Sequence, residues 1–527
     1  MNDNPASEFE DWLIEGPAGK WPEPWEGKEL SVEQKAIVER NAKLLLGKRG
    51  HWDNKVERFI RHIIGAEFRV PDEVKRWKRI ASHARTYCIR FDGFDFGKNA
   101  DRTIDLRGYT FPCSVSFIDT VFADNEVNFS EASFRGGDVS FDRMRATGGN
   151  IAFENAQFAN GDVFFDSAEF EDCDICFDFA HFDCGALIFQ NAKFVTELLG
   201  FDSTNFFDSR VVFGGASFTS PSEEFSRINF CNSTFGKQEI DFRTASFEHC
   251  WLNFSGVKLD TGGMAFTPLN LISTEVDFTD LSCLGNFVVS GSFPRNTSFR
   301  RLSVGGSAIF HQCEFEKIPD FRDAKFERPP EVAGMQVPLP AMERHGIISL
   351  AANDDDVAKY RKLKAMAIAA SDHERDGYFF AREMAAKRGI EKTDRFELAI
   401  DSIYAVLSFY GQSIKRPICG FGISLFGFSL VYSFILLSAL PLGNSPSFAF
   451  YYSLRNTFPF VNTLFRFAPE PTDENYKSWF QAALDRVYEQ SPAAYEIIDF
   501  VAFFQQLIGI VLLFLLLLGL RNKFKMQ

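Results

Sequence analysis

A Phe recurs every twelve residues through the middle of this 527-residue chain, at Phe117, Phe129, Phe141, Phe153, Phe165, Phe177, Phe189, Phe201 and Phe213 without a break. After five inserted residues the beat resumes at Phe230, Phe242, Phe254, Phe266 and Phe278. A second Phe often follows five residues later, as at Phe122, Phe134, Phe158, Phe170, Phe182, Phe194, Phe206 and Phe218. A fixed short period over so long a stretch means stacked, near-identical units, each too small to bury its apolar face alone.

The rest of the unit is equally regular. An aliphatic residue stands two before the leading Phe (Val115, Val127, Val139, Ile151, Val163, Ile175) and a small one three after it (Ala132, Ala156, Ala168, Ala180, Ala192). Residues two apart on a strand share a face, so each aliphatic–Phe and Ala–Phe pair points the same way. Gly136-Gly137, Gly148-Gly149 and Asn160-Gly161 suit tight corners between such pairs. No helix of 3.6 period presents this spacing on one face. A membrane β-barrel needs strands of about 9–11 residues, and these runs are far shorter. The pattern predicts a coil of very short strands with inward Phe columns.

The units Ala156-Gln157-Phe158-Ala159-Asn160, Ala168-Glu169-Phe170-Glu171-Asp172 and Ala192-Lys193-Phe194 resemble the pentapeptide-repeat family. That resemblance implies a right-handed, quadrilateral β-helix. The chain departs from the family by alternating five-residue and seven-residue sides. The expected organisation is a mixed fold. A helical cap occupies residues 1–90, the β-helix 91–328, a helical linker 341–416, and a two-helix transmembrane module 417–525.

Charge and cysteines narrow the class. Residues 101–327 hold 34 Asp and Glu against 17 Lys and Arg, so the repeat region carries −17 while the whole chain carries −15. Phosphate neutralisation is disfavoured there, and no nucleic-acid partner is expected. The resemblance does admit acidic pentapeptide-repeat proteins that imitate DNA and block topoisomerases, an encounter that a membrane tether makes awkward. Ten cysteines are scattered, and the start of the chain lacks a signal-peptide pattern, so a reduced, cytoplasmic setting is expected for the repeat region. Cys173, Cys176, His181 and Cys184 have a zinc-knuckle spacing, yet Ile175, Phe177, Ala180 and Phe182 keep the repeat register straight through it. No metal or other cofactor is expected.

Two stretches, 418–440 and 500–520, are uncharged, apolar and long enough to span a bilayer. Lys415 and Arg416 precede the first, and Arg521, Lys523 and Lys525 follow the second, which predicts both termini on the cytoplasmic side. Between them the aromatic stretch 447–467 occupies the place of a pore helix and filter in two-span channels, or it lies at the headgroup level as an interfacial helix. Tyr451, Asn456, Pro459 and Phe460 in that stretch, with Gln505 and Gln506 early in the second span, are the candidate pore or interface residues.

Helix signals flank the repeats. Ser31 with Gln34 caps a helix over 31–47, Asp53 opens one over 53–64, and Pro71-Asp72 opens one over 72–87. Trp21, Trp25, Trp52 and Trp77 are expected to pack this bundle and cover the open end of the coil. Ala358–Lys364 and Phe379–Glu383 read as two Ala-rich helices, the second capped by Ser371 with Glu374 and ended by Gly389. Together with Tyr410-Gly411-Gln412-Ser413 and Leu520-Arg521-Asn522-Lys523-Phe524, this tail is similar to bacterial inner-membrane proteins that join pentapeptide repeats to a two-span, ion-channel-like module. The resemblance implies this architecture, and the expected function is non-enzymatic: a β-helix that meets a cytoplasmic protein partner, coupled to an ion-conducting two-span module. That module needs several copies, a membrane homo-oligomer, because two spans cannot enclose a conduit. A tethered scaffold without a pore is the alternative. No phosphate loop, nucleophile elbow or His-Glu-x-x-His stretch argues for catalysis.

Overall fold

A computed structural model of the chain describes residues 14–15, 30–64, 73–84, 87–98, 103–183, 185–345, 348–392, 394–436, 445–458, 487–489 and 491–525. It falls into two compact units, Met1–Pro338 and Leu339–Gln527.

The first unit is a β-solenoid of parallel strands. One turn shows the rule: Val163–Phe164, Glu169–Glu171, Asp174–Cys176 and His181–Asp183 follow one another, and Ala186–Ile188 then lies parallel on Val163–Phe164 with Leu187 opposite Val163. One turn is therefore 24 residues, or two of the twelve-residue units, with four strands. Their inward residues Val163, Phe170, Ile175, Phe182 and Leu187 are spaced by seven and five in alternation. The strands stack into three sheets of 11, 10 and 14 strands, because two of the four ranks are joined through the long strands Val121–Asn128 and Arg145–Ala152. In the 11-stranded sheet all pairings are parallel except at the start, where Ile14–Glu15 pairs antiparallel with Tyr87–Cys88.

The five inserted residues leave the stack intact. Phe206 faces Phe235 and Val211 faces Ile240, a jump of 29, after which Ile228 faces Leu252 at 24 again. The extra residues form the exposed bend between Ser217–Thr219 and Ser226–Asn229.

Four Phe columns fill the interior. Phe117, Phe141, Phe165, Phe189, Phe213 and Phe242 stack with centroids 4.8–4.9 Å apart. Phe129, Phe153, Phe177, Phe201 and Phe230 form a second column at 4.8–5.0 Å. The two columns meet edge-on, as for Phe129 and Phe141 at 6.2 Å and 77°. Each such pair adds about 0.5–1.5 kcal/mol beyond burial, so the repeat stabilises itself through the contacts that define it.

The corners after the leading Phe share a recipe. In Phe165-Asp166-Ser167-Ala168, the Ala168 N–H donates to the Phe165 carbonyl and Ser167 takes φ 54. The residue two after the leading Phe is left-handed from Asp119 through Glu131, Arg143, Asn155, Phe179, Asn191, Ser203, Asn232 and Thr244 to Gly256, and Pro268 after Phe266 is the exception. Ala fits the position after it because that side chain points into the crowded core between rings, where Ala132, Ala156 and Ala168 are fully buried.

Three helices, α1 (Val32–Leu45), α2 (Arg49–Ile64) and α3 (Glu73–Ala84), sit at the start of the stack. The capping box at α1 is present, with Ser31 and Gln34 bonded both ways. The second helix begins at Arg49, earlier than the Asp53 signal suggests, and Asp53 instead pairs with Arg49 one turn back at 3.5 Å. Trp52 is fully buried, donates to the Thr110 carbonyl at 3.0 Å and meets Phe111 edge-on at 5.3 Å. It thus covers the head of the column Phe111, Phe134, Phe158, Phe182, Phe206. Trp77 lies against the Arg135 guanidinium at 5.2 Å. Trp21, Trp25, Pro71 and Asp72 lie outside the described residues.

The second unit opens with an antiparallel hairpin, Met342–His345 with Ile348–Ala351. Among the described residues six helices follow: α4 (Asp355–Ala369), α5 (His373–Ala386), α6 (Arg395–Ser408), α7 (Lys415–Leu436), α8 (Ser445–Thr457) and α9 (Pro492–Lys525). The cap of α5 falls on Asp372, whose side chain accepts from the Arg375 N–H, while Ser371 adopts a left-handed turn conformation (φ 57) and cannot cap. The hairpin was not expected from the sequence, whereas α6 falls inside the expected helical linker 341–416.

Candidate functional site

The two long apolar helices run antiparallel. Near the start of α7, Gly420 stands where a Cβ would come within 2.7 Å of Leu512, late in α9. At the other end Tyr432 and Leu436 pack with Ala494, Ile498 and Ala502. Both helices are long and apolar enough to cross a membrane.

Between them runs α8, and its direction is fixed by successive contacts with α7. Phe448 packs with Tyr432 and Leu436, Tyr452 meets Tyr432 edge-on at 5.0 Å, and the Ser453 hydroxyl donates to the Leu425 carbonyl at 2.6 Å. Phe458, just past the helix, stacks on Phe421 at 5.0 Å. So α8 retraces α7 from its end almost to its beginning.

The last turn of α8 meets α9 through a polar cluster inside an otherwise apolar packing. Gln505 is fully buried, and its amide nitrogen donates to the Ser453 carbonyl at 2.9 Å, the Ser453 hydroxyl at 2.8 Å and the Thr457 hydroxyl at 2.7 Å. Its carbonyl oxygen accepts from the Tyr432 hydroxyl at 2.8 Å. Gln506 donates to the Asn456 side-chain oxygen at 2.9 Å. The Asn456 amide nitrogen is buried with no hydrogen-bond partner among the described residues. Of the candidates, the structure therefore brings Asn456, Gln505 and Gln506 together. Tyr451 is exposed on the other side of α8, and Pro459 and Phe460 lie outside the described residues. Sequence reasoning missed Ser453, Thr457 and Tyr432. Their only signal was helical spacing, Ser453 and Thr457 being one turn apart on a face shared with Asn456.

Ion-pair clusters anchor the helices ahead of α7. Asp401 of α6 accepts from Arg388 at 2.7 Å, Lys392 at 2.8 Å and the Tyr410 hydroxyl at 2.8 Å. Burial alone would raise its pKa, but these donors hold it below the ordinary carboxylate range. Glu383 of α5 is treated the same way: burial opposes ionisation, and Lys364 and Lys387 outweigh it.

In the solenoid, several acids serve the corners. Asp142 accepts from the Asp166 N–H of the next turn at 2.9 Å, and Asp178 from the Asp202 N–H at 2.7 Å. Burial raises both carboxyls above the ordinary value, a shift the backbone donors reduce. Burial also pushes the thiols of Cys173, Cys250, Cys283 and Cys313 up to about 12, so they are protonated, inert core groups. Cys173 and Cys176 lie on successive solenoid positions in register, Cys184 is outside the described residues, and among those described no three His, Cys, Asp or Glu side chains converge.

No protein-family model matches the chain, and no curated protein or solved structure matches it either.

Proposed function

We propose that this chain is an integral membrane repeat protein in which a cytoplasmic, pentapeptide-type β-helix controls an oligomeric, ion-conducting module built from α7, α8 and α9. The observation that carries the reading is the course of α8. With α7 and α9 across a bilayer, α8 is a re-entrant helix whose polar last turn ends deep in the hydrocarbon layer. A chain break at that depth is tolerated only where protein buries it or where it lines water. The Gln505 cluster supplies the first condition on one side. Two spans cannot enclose a conduit, so several copies surround it. Basic residues flanking α7 and α9 support a cytoplasmic solenoid, whose long regular faces suit a protein partner.

The test is conductance of the purified full chain in planar bilayers, with Gln505→Leu and the milder Thr457→Val alongside. Ion flow that either substitution lowers at least tenfold, at unchanged helix content, supports the proposal. Protein that stays monomeric under cross-linking in native membranes and gives no conductance above the lipid background sinks it, and leaves a tethered docking scaffold.

A further inference from the structure

Helix α6 has one face tied down and the other bare. Asp401 and Ser408 are buried, with Asp401 held by Arg388, Lys392 and Tyr410. On the opposite side Phe396, Ile400, Ile403 and Val406 form a single stripe, 72, 52, 56 and 70% exposed. A water-facing helix reverses this pattern, with its apolar side inward.

Three observations say what covers the stripe. First, α6 is joined to α7 by a tight corner, Phe409 and Tyr410 both left-handed, and the Arg416 guanidinium reaches back to the Ala405 carbonyl at 2.6 Å. The stripe thereby adjoins the exposed apolar surface of α7, which begins at Ile418 and Ile423. Second, the end of the stripe next to α7 is cationic, with Lys415 and Arg416, while at its start Arg395 stands between the exposed acids Asp394 and Glu397. Third, beside Tyr404 of the same helix lies a cavity of about 450 Å³ lined by Lys364, His373 and Arg521 against one acid, Asp376. Apolar stripe, basic rim and continuity with a spanning helix are the features of a helix lying in the headgroup layer.

We propose that α6 is embedded lengthwise in the cytoplasmic leaflet, its Phe396–Val406 stripe covered by phospholipid. The inference rests on the membrane reading of α7 and α9 and adds a contact that neither helix requires. It also gives the module a lever: a helix bonded on one side to α5 and the 388–392 turn, and on the other to lipid, transmits changes in either to α7 through Arg416.

The experiment places a benzoylphenylalanine photoprobe at Ile403 in the full chain, reconstituted in vesicles of phosphatidylethanolamine and phosphatidylglycerol, and at Leu430 on the exposed side of α7 as reference. After irradiation, intact mass should show phospholipid adducts at both positions. Lipid adducts at Leu430 with chain-to-chain cross-links at Ile403 assign the stripe to a second copy and overturn the inference alone. Lipid adducts at Leu430 with no adduct at Ile403 overturn it equally. Absence of lipid adducts at Leu430 removes the membrane reading and this inference with it.

Discussion

At the level of single residues, the corner position two after each leading Phe decides what the repeat tolerates. Its left-handed backbone costs an ordinary side chain about 1–2 kcal/mol and an Asn or Gly much less. Asn155, Asn191 and Asn232 meet the requirement, whereas Phe179 does not: it takes φ 58 with its ring 51% exposed. Exposure means the ring contributes little burial to offset the strain. Phe179→Asn should therefore raise solenoid stability by about 1 kcal/mol, read as a higher urea midpoint at unchanged slope. Asn155→Val should lower it by a similar or larger amount, since a β-branched residue fits this region worst. Equal midpoints for the parent and both variants would show that the corners relax freely.

Among elements, the cap carries the sharpest expectation. Trp52 reaches from α2 onto the first ring of a Phe column and onto the Thr110 carbonyl, so one side chain both fills space and satisfies a strand end. Trp52→Ala should cost about 3–5 kcal/mol locally. Trp77 rests half-buried on a guanidinium, and its loss should cost about 1 kcal/mol or less. Because solenoid turns hold only their neighbours, amide exchange in Trp52→Ala should quicken around Ser114–Ser116 and stay at parental rates around Cys250–Asn253. Uniform acceleration along the stack would mean that the turns unfold as one block. The elements also show which features the sequence disclosed. The strands, their alternating seven and five spacing and the α1 cap follow from local periods that no distant contact overrides. The hairpin at Met342–Ala351 has no alternation or turn dipeptide to announce it. The depth of α8 was illegible for a different reason: Ser453, Asn456 and Thr457 show a polar face, but only the position of Gln505, about fifty residues on, tells what that face meets.

On the scale of the whole molecule, one buried acid in each unit, Asp178 and Asp401, should answer acid in opposite senses. Asp178 has its pKa raised above the ordinary 3.8 by burial, so its proton binds more tightly in the folded solenoid. Its favourable contribution is complete below about 3.8 and is lost as pH rises through the higher folded value. Asp401 is lowered, so its contribution is present above 3.8 and disappears as pH falls through the lower folded value. Two isosteric substitutions separate these effects. Asp178→Asn keeps an oxygen for the Asp202 N–H and removes a charge that burial penalises, so at pH 7 it should stabilise the solenoid slightly, with the gain vanishing below about pH 4. Asp401→Asn leaves Arg388 and Lys392 without their counter-charge and should cost the second unit about 3 kcal/mol at pH 7. That cost shrinks as pH falls below 3.8 towards the lower pKa of the folded parent carboxylate. Hydrogen exchange, with intrinsic rates corrected for pH, reads both units in one sample. Differences of the same sign for the two variants at pH 7 would contradict the assignment of burial as the governing cause at Asp178 and of the ion-pair donors at Asp401.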